Sequence, residues 1–543
     1  MSNKFAVPPR TPANSAALTP LDFLFRAERA FPDHPAIIDG GRRLSWKQYA
    51  TRCRMLARAL TLAGMGPGDA VAVLLPNTAP MLEAHYGIPM AGAVICTINI
   101  RLNGAAIAYI LNHSESRMLI VDDQFRDLAE EALALTGRND IRVIVADRSG
   151  ASWGDDYDAF VATGDGADDK DVHWPRTEWD AIALNYTSGT TGNPKGVIFH
   201  HRGAYLSSFG QILSFGMGPH PVYLWTLPMF HCNGWCFSWA LAAVVGTHVC
   251  ARRIDGDIIW NAIHDFGVTH FCGAPTVLTF ILDAADRARP LGHTVSVMSG
   301  GALLPSLVWR RMTELGFVVQ HVYGITEMHG IFASCAWHDD WDLAPPEEQA
   351  RLVARQGMPL VVQNGLMVAD SATLRPVPAD GHTVGEVFTR GNLGMTGYLK
   401  DPEATREAFA GGWYHTGDLA VMHPDGYLEI KDRLKDFIIS GGENISSIEV
   451  EEAIHTHPGV ACAAVVALKD ETWGEVPLAF IEMKADWQGK VTAEDMIEHC
   501  RKRLAHFKCP RRVIFAPVPK TATGKIPKFE LREKAAKSCG RNG

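Results

Sequence analysis

The sequence predicts an α/β protein, with a large N-terminal domain of two doubly wound α/β subdomains plus a β-rich subdomain, followed by a small α+β C-terminal domain. Three observations carry that expectation. From Leu21 to Gly301, short apolar runs alternate with segments of helical period. From Gln356 to Ile430 the pattern changes to short strands with close turns. The charged and then glycine-rich stretch "KDRLKDFIISGGENIS" separates these from a compact mixture of strands and a helix.

Taken in order, "TPLDFLFRAERAF" reads as a helix capped by Thr19 with Pro20 in its first turn. "DAVAVLLPN", "GAVICTIN" and "RMLIVDD" read as strands, and "APMLEAHYGIPMA" as a helix. Strands alternating with helices imply parallel sheets covered on both faces. "VYLWTLPMF", "THFCGAP" and "TVSVMSGG" continue the pattern, each an apolar run meeting Gly or Pro. Ligands gather at the carboxyl ends of such strands, so these loops are where chemistry is expected. "GEVFTRGN" and "HPDGYLEI" belong to the β-rich part, and strands "ACAAVVALKD" and "PLAFIEMKA" with helix "TAEDMIEHCRKRLAHF" to the small domain. The division is therefore 1–433 for the large domain, its β-rich subdomain at about 356–432, a hinge at 434–436, and 437–543 for the small domain. No repeat of solenoid period appears.

Composition narrows the function. A 543-residue chain with formal charge −9 and no long basic block does not fit a nucleic-acid partner. The N-terminus "MSNKFAVPPRTPANSAALTP" has neither a basic n-region nor an apolar h-region, so a cytoplasmic location is expected. The most apolar stretch, "CFSWALAAVVGTHVC", falls short of the ~20 residues of a membrane span. Eleven scattered cysteines suggest reduced thiols, and "HCNGWC" has no second ligand pair to make a zinc site. The partners expected are small molecules, with a homodimer as the assembly considered.

The segment richest in chemistry is "YTSGTTGNPKG", Tyr186 to Gly196. Its glycines permit close backbone approach, its hydroxyls and amides supply donors for phosphate oxygens, and Lys195 adds a point charge. Pro194, Lys195 and Gly196 stand where a Walker A loop requires Gly, Lys and Ser or Thr. Composition alone leaves two readings, a polar surface loop or a phosphate cradle.

The string resembles the phosphate loop of the adenylate-forming superfamily, which includes acyl-CoA synthetases, coumarate-CoA ligase-like enzymes, luciferases and adenylation domains. Further segments resemble that family's motifs in order: "PMFHCNGW", "SGGALLP", "VYGITE", "YHTGD", "DRLKDFIISGGENIS" and "PKTATGKIPK". The resemblance implies ATP, Mg2+ and coenzyme A as cofactors and a carboxylic acid as substrate. It implies nucleotide contacts from Thr187, Ser188, Gly189, Thr190, Thr191, Gly192, Gly301, Ala302, His321, Val322, Tyr323 and Gly324. It further implies ribose binding by Asp418 and Arg433, a hinge at Lys435 about which a mobile small domain turns, and CoA contacts from Gly441, Gly442 and Glu443. Lys195, Thr326 at the α-phosphate, Glu327 as the metal ligand and Lys525 as the adenylation lysine are the catalytic residues implied. The acyl pocket implied draws on His231, Trp235, Gly300, Met328, His329 and Gly330.

Physical sense supports these roles. A hard cation suits the Glu327 carboxylate, two acceptor oxygens suit Asp418 to adjacent hydroxyls, and the fixed fork of Arg433 suits ribose and phosphate. The tail is rich in Lys and Arg, and only its place directly after "TATG" singles out Lys525. Two departures stand out: His321 occupies a position that is Gln in many relatives, and Ile438, Ile439 and Ser440 replace lysines found in coumarate-CoA ligase-like members. The reaction implied is AMP-forming ligation of a carboxylic acid to CoA through an acyl adenylate. The motifs look most like the group of methylmercaptopropionate-CoA ligases and medium-chain fatty acyl-CoA synthetases, so short or medium acids are expected. An aryl-CoA ligase, a carrier-loading adenylation module and a non-catalytic ATP-binding scaffold are the alternatives.

Overall fold

The computed structural model describes residues 10–150, 153–187, 193–287, 289–441, 443–470, 472–520 and 526–539. Two large, mostly parallel sheets form the body. In the first, of eight strands, Arg142–Ala146, Met118–Asp122, Ala70–Leu74, Val94–Thr97 and Ala181–Thr187 run parallel in that spatial order. The strand Lys195–His200 then turns back antiparallel on Ala181–Thr187, and Gly397–Tyr398 closes that edge. In the second, of nine strands, Pro35–Asp39, Thr247–Val249, Val222–Leu224, His270–Gly273, Val295–Ser299 and Phe317–Ile325 run parallel in spatial order. Gly330–Ser334 folds back antiparallel on the last of these.

The strands expected at "DAVAVLLPN", "GAVICTIN", "RMLIVDD", "THFCGAP" and "TVSVMSGG" are all present, and their side chains are buried on both faces as parallel sheets require. The helix Ala79–Met90 between two of them is buried on every side, which is why its sequence lacks a polar face. "CFSWALAAVVGTHVC" becomes the buried helix Phe237–Ala243 followed by strand Thr247–Val249. No helix among the described residues is long and apolar enough to cross a membrane.

Three local expectations shift. The first helix spans Leu21–Ala30, with Pro20 rather than Thr19 at its cap. The Thr19 hydroxyl instead meets His201 Nδ1 at 2.8 Å, a buried tertiary contact that sequence pattern cannot show. Within the β-rich region, Gly365–Ala369, Val384–Arg390, Tyr414–Met422 and Leu428–Arg433 form one antiparallel sheet, but Gly397–Tyr398 leaves it for the first large sheet. The helix starting at Ala493 ends at Arg501, before "LAHF".

The small domain is a separate five-stranded sheet. Its long hairpin, Val460–Asp470 with Gly474–Met483, has apolar residues on both faces. One face packs on the helices Ser447–His455 and Ala493–Arg501, and the other on Leu531 and Ala535 of the terminal helix Lys528–Cys539. Among the described residues, its apolar clusters contain none before Ile438.

Several histidines are buried and neutral. Burial pushes His85, His200 and His201 down to about 4 and His248 to about 3 from an ordinary 6.5. Because the folded values lie below the unfolded one, their contribution is complete above pH 6.5. It is lost as pH falls towards 4, at about 1.4 kcal/mol per pH unit for each histidine. The urea midpoint is therefore expected to drop steeply between pH 7 and pH 5. A midpoint unchanged over that interval would contradict these protonation states.

Candidate active site

The site lies where the two large sheets and the β-rich sheet meet, and it is built from two hydrogen-bonded groups and one strained turn. The first group sits on the strand pair Tyr414–Met422 and Leu428–Arg433, whose register sets Asp418 opposite Arg433. Asp418 is buried; its Oδ1 meets Arg433 Nε at 2.9 Å and its Oδ2 accepts the Tyr323 hydroxyl at 2.6 Å. Burial and the Asp418 charge hold the Tyr323 phenol well above its usual range, so it stays a donor. The Asp418 charge likewise raises the Arg433 guanidinium, whose side chain keeps an exposed edge. Each carboxylate oxygen keeps further acceptor capacity, enough for the adjacent hydroxyls of a ribose.

The second group gathers around Tyr398. Thr187 pairs with Lys195 at the open end of the hairpin. Ser188, Gly189, Thr190, Thr191 and Gly192 lie between them, outside the described residues. The Lys195 ammonium stands 4.8 Å from the centre of the Tyr398 ring. The Tyr398 hydroxyl donates to Glu327 Oε1 at 2.9 Å and lies 3.2 Å from the Tyr414 hydroxyl. Burial, then the Glu327 charge, raises the Tyr398 phenol. Gly196 makes this approach possible: a Cβ there would crowd Leu184, Tyr186 and Leu399 at 3.2–3.3 Å, and its carbonyl accepts Leu399 N–H at 2.7 Å.

The third part is a turn from Cys232 to Cys236. Five consecutive residues have positive φ, between 43° and 64°, and four of them are not glycine. Each such residue costs on the order of 1–3 kcal/mol, strain that gathers at functional sites. The turn sets the Trp235 indole against Gly300 and Gly330: a Cβ on Gly300 would lie 3.4 Å from the indole Cη2, and one on Gly330 3.5 Å from its Cδ1. His231 precedes it, with Nε2 3.8 Å from Cys232 Sγ, and Cys232 Sγ is 3.2 Å from Thr326 Oγ1. The turn therefore touches the segment that carries Thr326 and Glu327.

Other predicted residues fall elsewhere. His329 is fully buried, with its ring stacked 4.0 Å from Phe199, Nδ1 bonded to the Leu393 carbonyl at 2.8 Å and Nε2 accepting His200 N–H at 3.3 Å. Both ring nitrogens are thus taken, and its left-handed backbone serves to deliver Gly330 to Trp235. Met328 is fully buried beside the Gln363 amide. His321 directs Nδ1 to the carbonyls of Val353 and Ala354 at 3.2 and 3.0 Å, so that nitrogen holds the segment after helix Pro346–Val353. Val322 underlies Gly300, where a Cβ would come within 2.9 Å of its carbonyl. Gly301 has φ +81°, Ala302 is exposed, and Gly324 pairs across to Ile331.

Lys435 gives its carbonyl to Arg532, and its ammonium is lowered by burial and by Arg433. Gly441 bonds to the Trp473 carbonyl and Glu443 pairs with Ser440, both within the small domain. Gly442 and Lys525 lie outside the described residues. Sequence reasoning missed Tyr398 altogether; "MTGYLKD" carries no signal until the strand pairing with Val197 is known.

The chain matches known proteins over nearly its whole length. Residues 24–399 match the AMP-binding enzyme model, and residues 449–525 match the AMP-binding enzyme C-terminal domain. A peroxisomal acetate/butyrate–CoA ligase of Arabidopsis thaliana is 48% identical, over 97% of this chain and 96% of its own. A 2-methylpropanoate–CoA ligase of Humulus lupulus is 46% identical, over 96% of each chain. The o-succinylbenzoate CoA synthetase of Bacillus subtilis, solved with its acyl-adenylate intermediate, superposes with a TM-score of 0.80 at 25% identity, over 94% of this chain and 97% of that one. Fold and site together define an AMP-forming acid–thiol ligase that uses ATP and CoA. The chain belongs to the AMP-binding enzyme family.

Tyr398→Phe removes the hydroxyl that holds Glu327 and is expected to lower kcat/KM for ATP about tenfold. Asp418→Asn is expected to raise KM for ATP more than kcat falls. Steady-state AMP formation measures both, and an unchanged ATP dependence in both variants would remove these groups from the nucleotide site.

Proposed function

We propose that the chain converts short-chain carboxylic acids, of acetate to butyrate size and including branched isomers, to CoA thioesters through an acyl adenylate. The observation that carries this reading is the Trp235 indole lying against Gly300 and Gly330. A bulky ring packed against two glycines leaves a short pocket, and the acids named for the two plant relatives are correspondingly small. The medium-chain acids that the sequence also allows fit this wall less well.

In the first step a carboxylate oxygen attacks the α-phosphorus of ATP, and the bond to pyrophosphate breaks. Asp418 and Arg433 hold the ribose, while Lys195 and the loop after Thr187 grip the departing phosphates. Lys525 neutralises the charge shared by the attacking oxygen and the α-phosphate. In the second step the CoA sulfur attacks the acyl carbon, the bond to AMP breaks and the thiol proton is released. The small domain turns at Lys435 between the steps and brings Gly441 to Glu443 to the CoA arm.

Magnesium fits the donor set. Glu327 offers a carboxylate whose Oε1 is held by Tyr398, and among the described residues no three His, Cys, Asp or Glu side chains form a cage. Such an ion is bound by one carboxylate together with nucleotide phosphates, and when bound it disperses phosphate charge.

AMP production dependent on both acid and CoA, screened over acetate, butyrate, octanoate, benzoate and cinnamate, tests the reading. Turnover of the short acids is expected; a preference for benzoate or cinnamate would favour the aryl ligase, and no AMP with any acid would favour a scaffold. Trp235→Gly is expected to raise kcat/KM for octanoate relative to butyrate by about tenfold or more. Lys525→Ala is expected to cripple adenylate formation, by about a hundredfold or more, while sparing thioester formation from supplied acyl adenylate. Equal loss in both half-reactions would remove Lys525 from the first.

A further inference from the structure

The left-handed turn that carries Trp235 is fastened to the other large sheet by polar residues near the carboxyl ends of three adjacent strands. Asn77, after Ala70–Leu74, donates through Nδ2 to the carbonyls of Trp225 and Leu227 and accepts Met229 N–H. Thr97, the last residue of Val94–Thr97, donates to the Phe230 carbonyl at 2.9 Å. Asn185, in Ala181–Thr187, makes two bonds to one residue of the turn: its Oδ1 accepts Asn233 N–H at 3.1 Å and its Nδ2 donates to Asn233 Oδ1 at 2.5 Å. Both asparagines are buried, at 2% and 0% exposure.

Among the described residues, Asn233 Nδ2 is buried without a hydrogen-bond partner. An amide with an orphaned donor costs stability, so this residue is poorly explained as a device for folding alone. Its neighbours Cys232, Trp235 and Cys236 also carry unfavourable positive φ. A strained conformation persists only where its surroundings over-determine it. The two-point bond from Asn185 to Asn233 supplies that determination two residues before Trp235.

We propose that Asn185 and Asn233 are positioning residues that fix the Trp235 indole and so set the length of acid the enzyme accepts. Without the clamp the turn relaxes, the indole leaves its place against Gly300 and Gly330, and the pocket deepens. The inference rests on Trp235 being the acyl wall, as proposed above.

Binding of non-hydrolysable alkyl adenylates of increasing chain length, measured by calorimetry, tests it without relying on turnover. In Asn185→Ala, affinity for the octyl relative to the butyl adenylate is expected to rise about tenfold over wild type. Asn233→Gly keeps the left-handed backbone accessible and removes the side-chain bond, and is expected to shift the ratio in the same direction. Equal weakening for all chain lengths in Asn185→Ala, or a wild-type ratio in Asn233→Gly, overturns the proposal. Failure of wild type to bind any alkyl adenylate would instead overturn the reading of the site itself.

Discussion

The site depends on one antiparallel hairpin, Ala181–Thr187 with Lys195–His200, added to the edge of a parallel sheet. Nearly every functional contact starts from it. At its open end Thr187 pairs with Lys195. Its outer strand pairs with Gly397–Tyr398, which aims the Tyr398 hydroxyl at Glu327. Its inner strand carries Asn185, which holds the turn of Trp235, and its far end gives His200 N–H to His329. Period-two alternation places successive side chains of one strand on opposite faces, so a single register fixes all of these at once. A slip of one residue would turn Asn185 away from Asn233 and Lys195 away from Tyr398.

The ribose side follows the same logic with a different sheet. Asp418 and Arg433 face each other because two strands pair in one register, and Tyr323 reaches them from the second large sheet. A carboxylate so buried would be costly alone; the guanidinium and the phenol together make it tenable. The strand that ends in Arg433 leads directly into the hinge expected at 434–436 and the small domain beyond.

The strand-and-helix alternation, the change of character at Gln356 and the start of a new core at Ile438 could all be read from the sequence, because burial on both faces leaves continuous apolar runs. The motifs single out Asp418, Arg433, Glu327 and Lys195, and the structure sets Asp418 against Arg433 and both Glu327 and Lys195 against Tyr398. Tyr398, Asn185 and Asn233 were not legible in the sequence, because their importance comes from partners 48 to 71 residues away in the chain. His329 misled for the opposite reason: it stands beside Gly330 in a functional string, yet its ring packs between Phe199 and His200. A motif marks a stretch of backbone, while the direction of each side chain is decided by tertiary contacts.

That distinction bears on how one fold serves many acids. Asp418 and Arg433, proposed for the ribose, lie on paired strands, where register leaves little freedom, whereas Trp235, the proposed acyl wall, lies on a turn in a conformation that most residues avoid. A turn held by side-chain bonds can be reset by exchanging one or two residues, without disturbing the strands beneath it. Adenylation chemistry and acid selectivity are thereby separated, even though Cys232 and Thr326 are in contact. In the proposed reading the first rests on sheet register and the second on the two hydrogen bonds from Asn185 to Asn233.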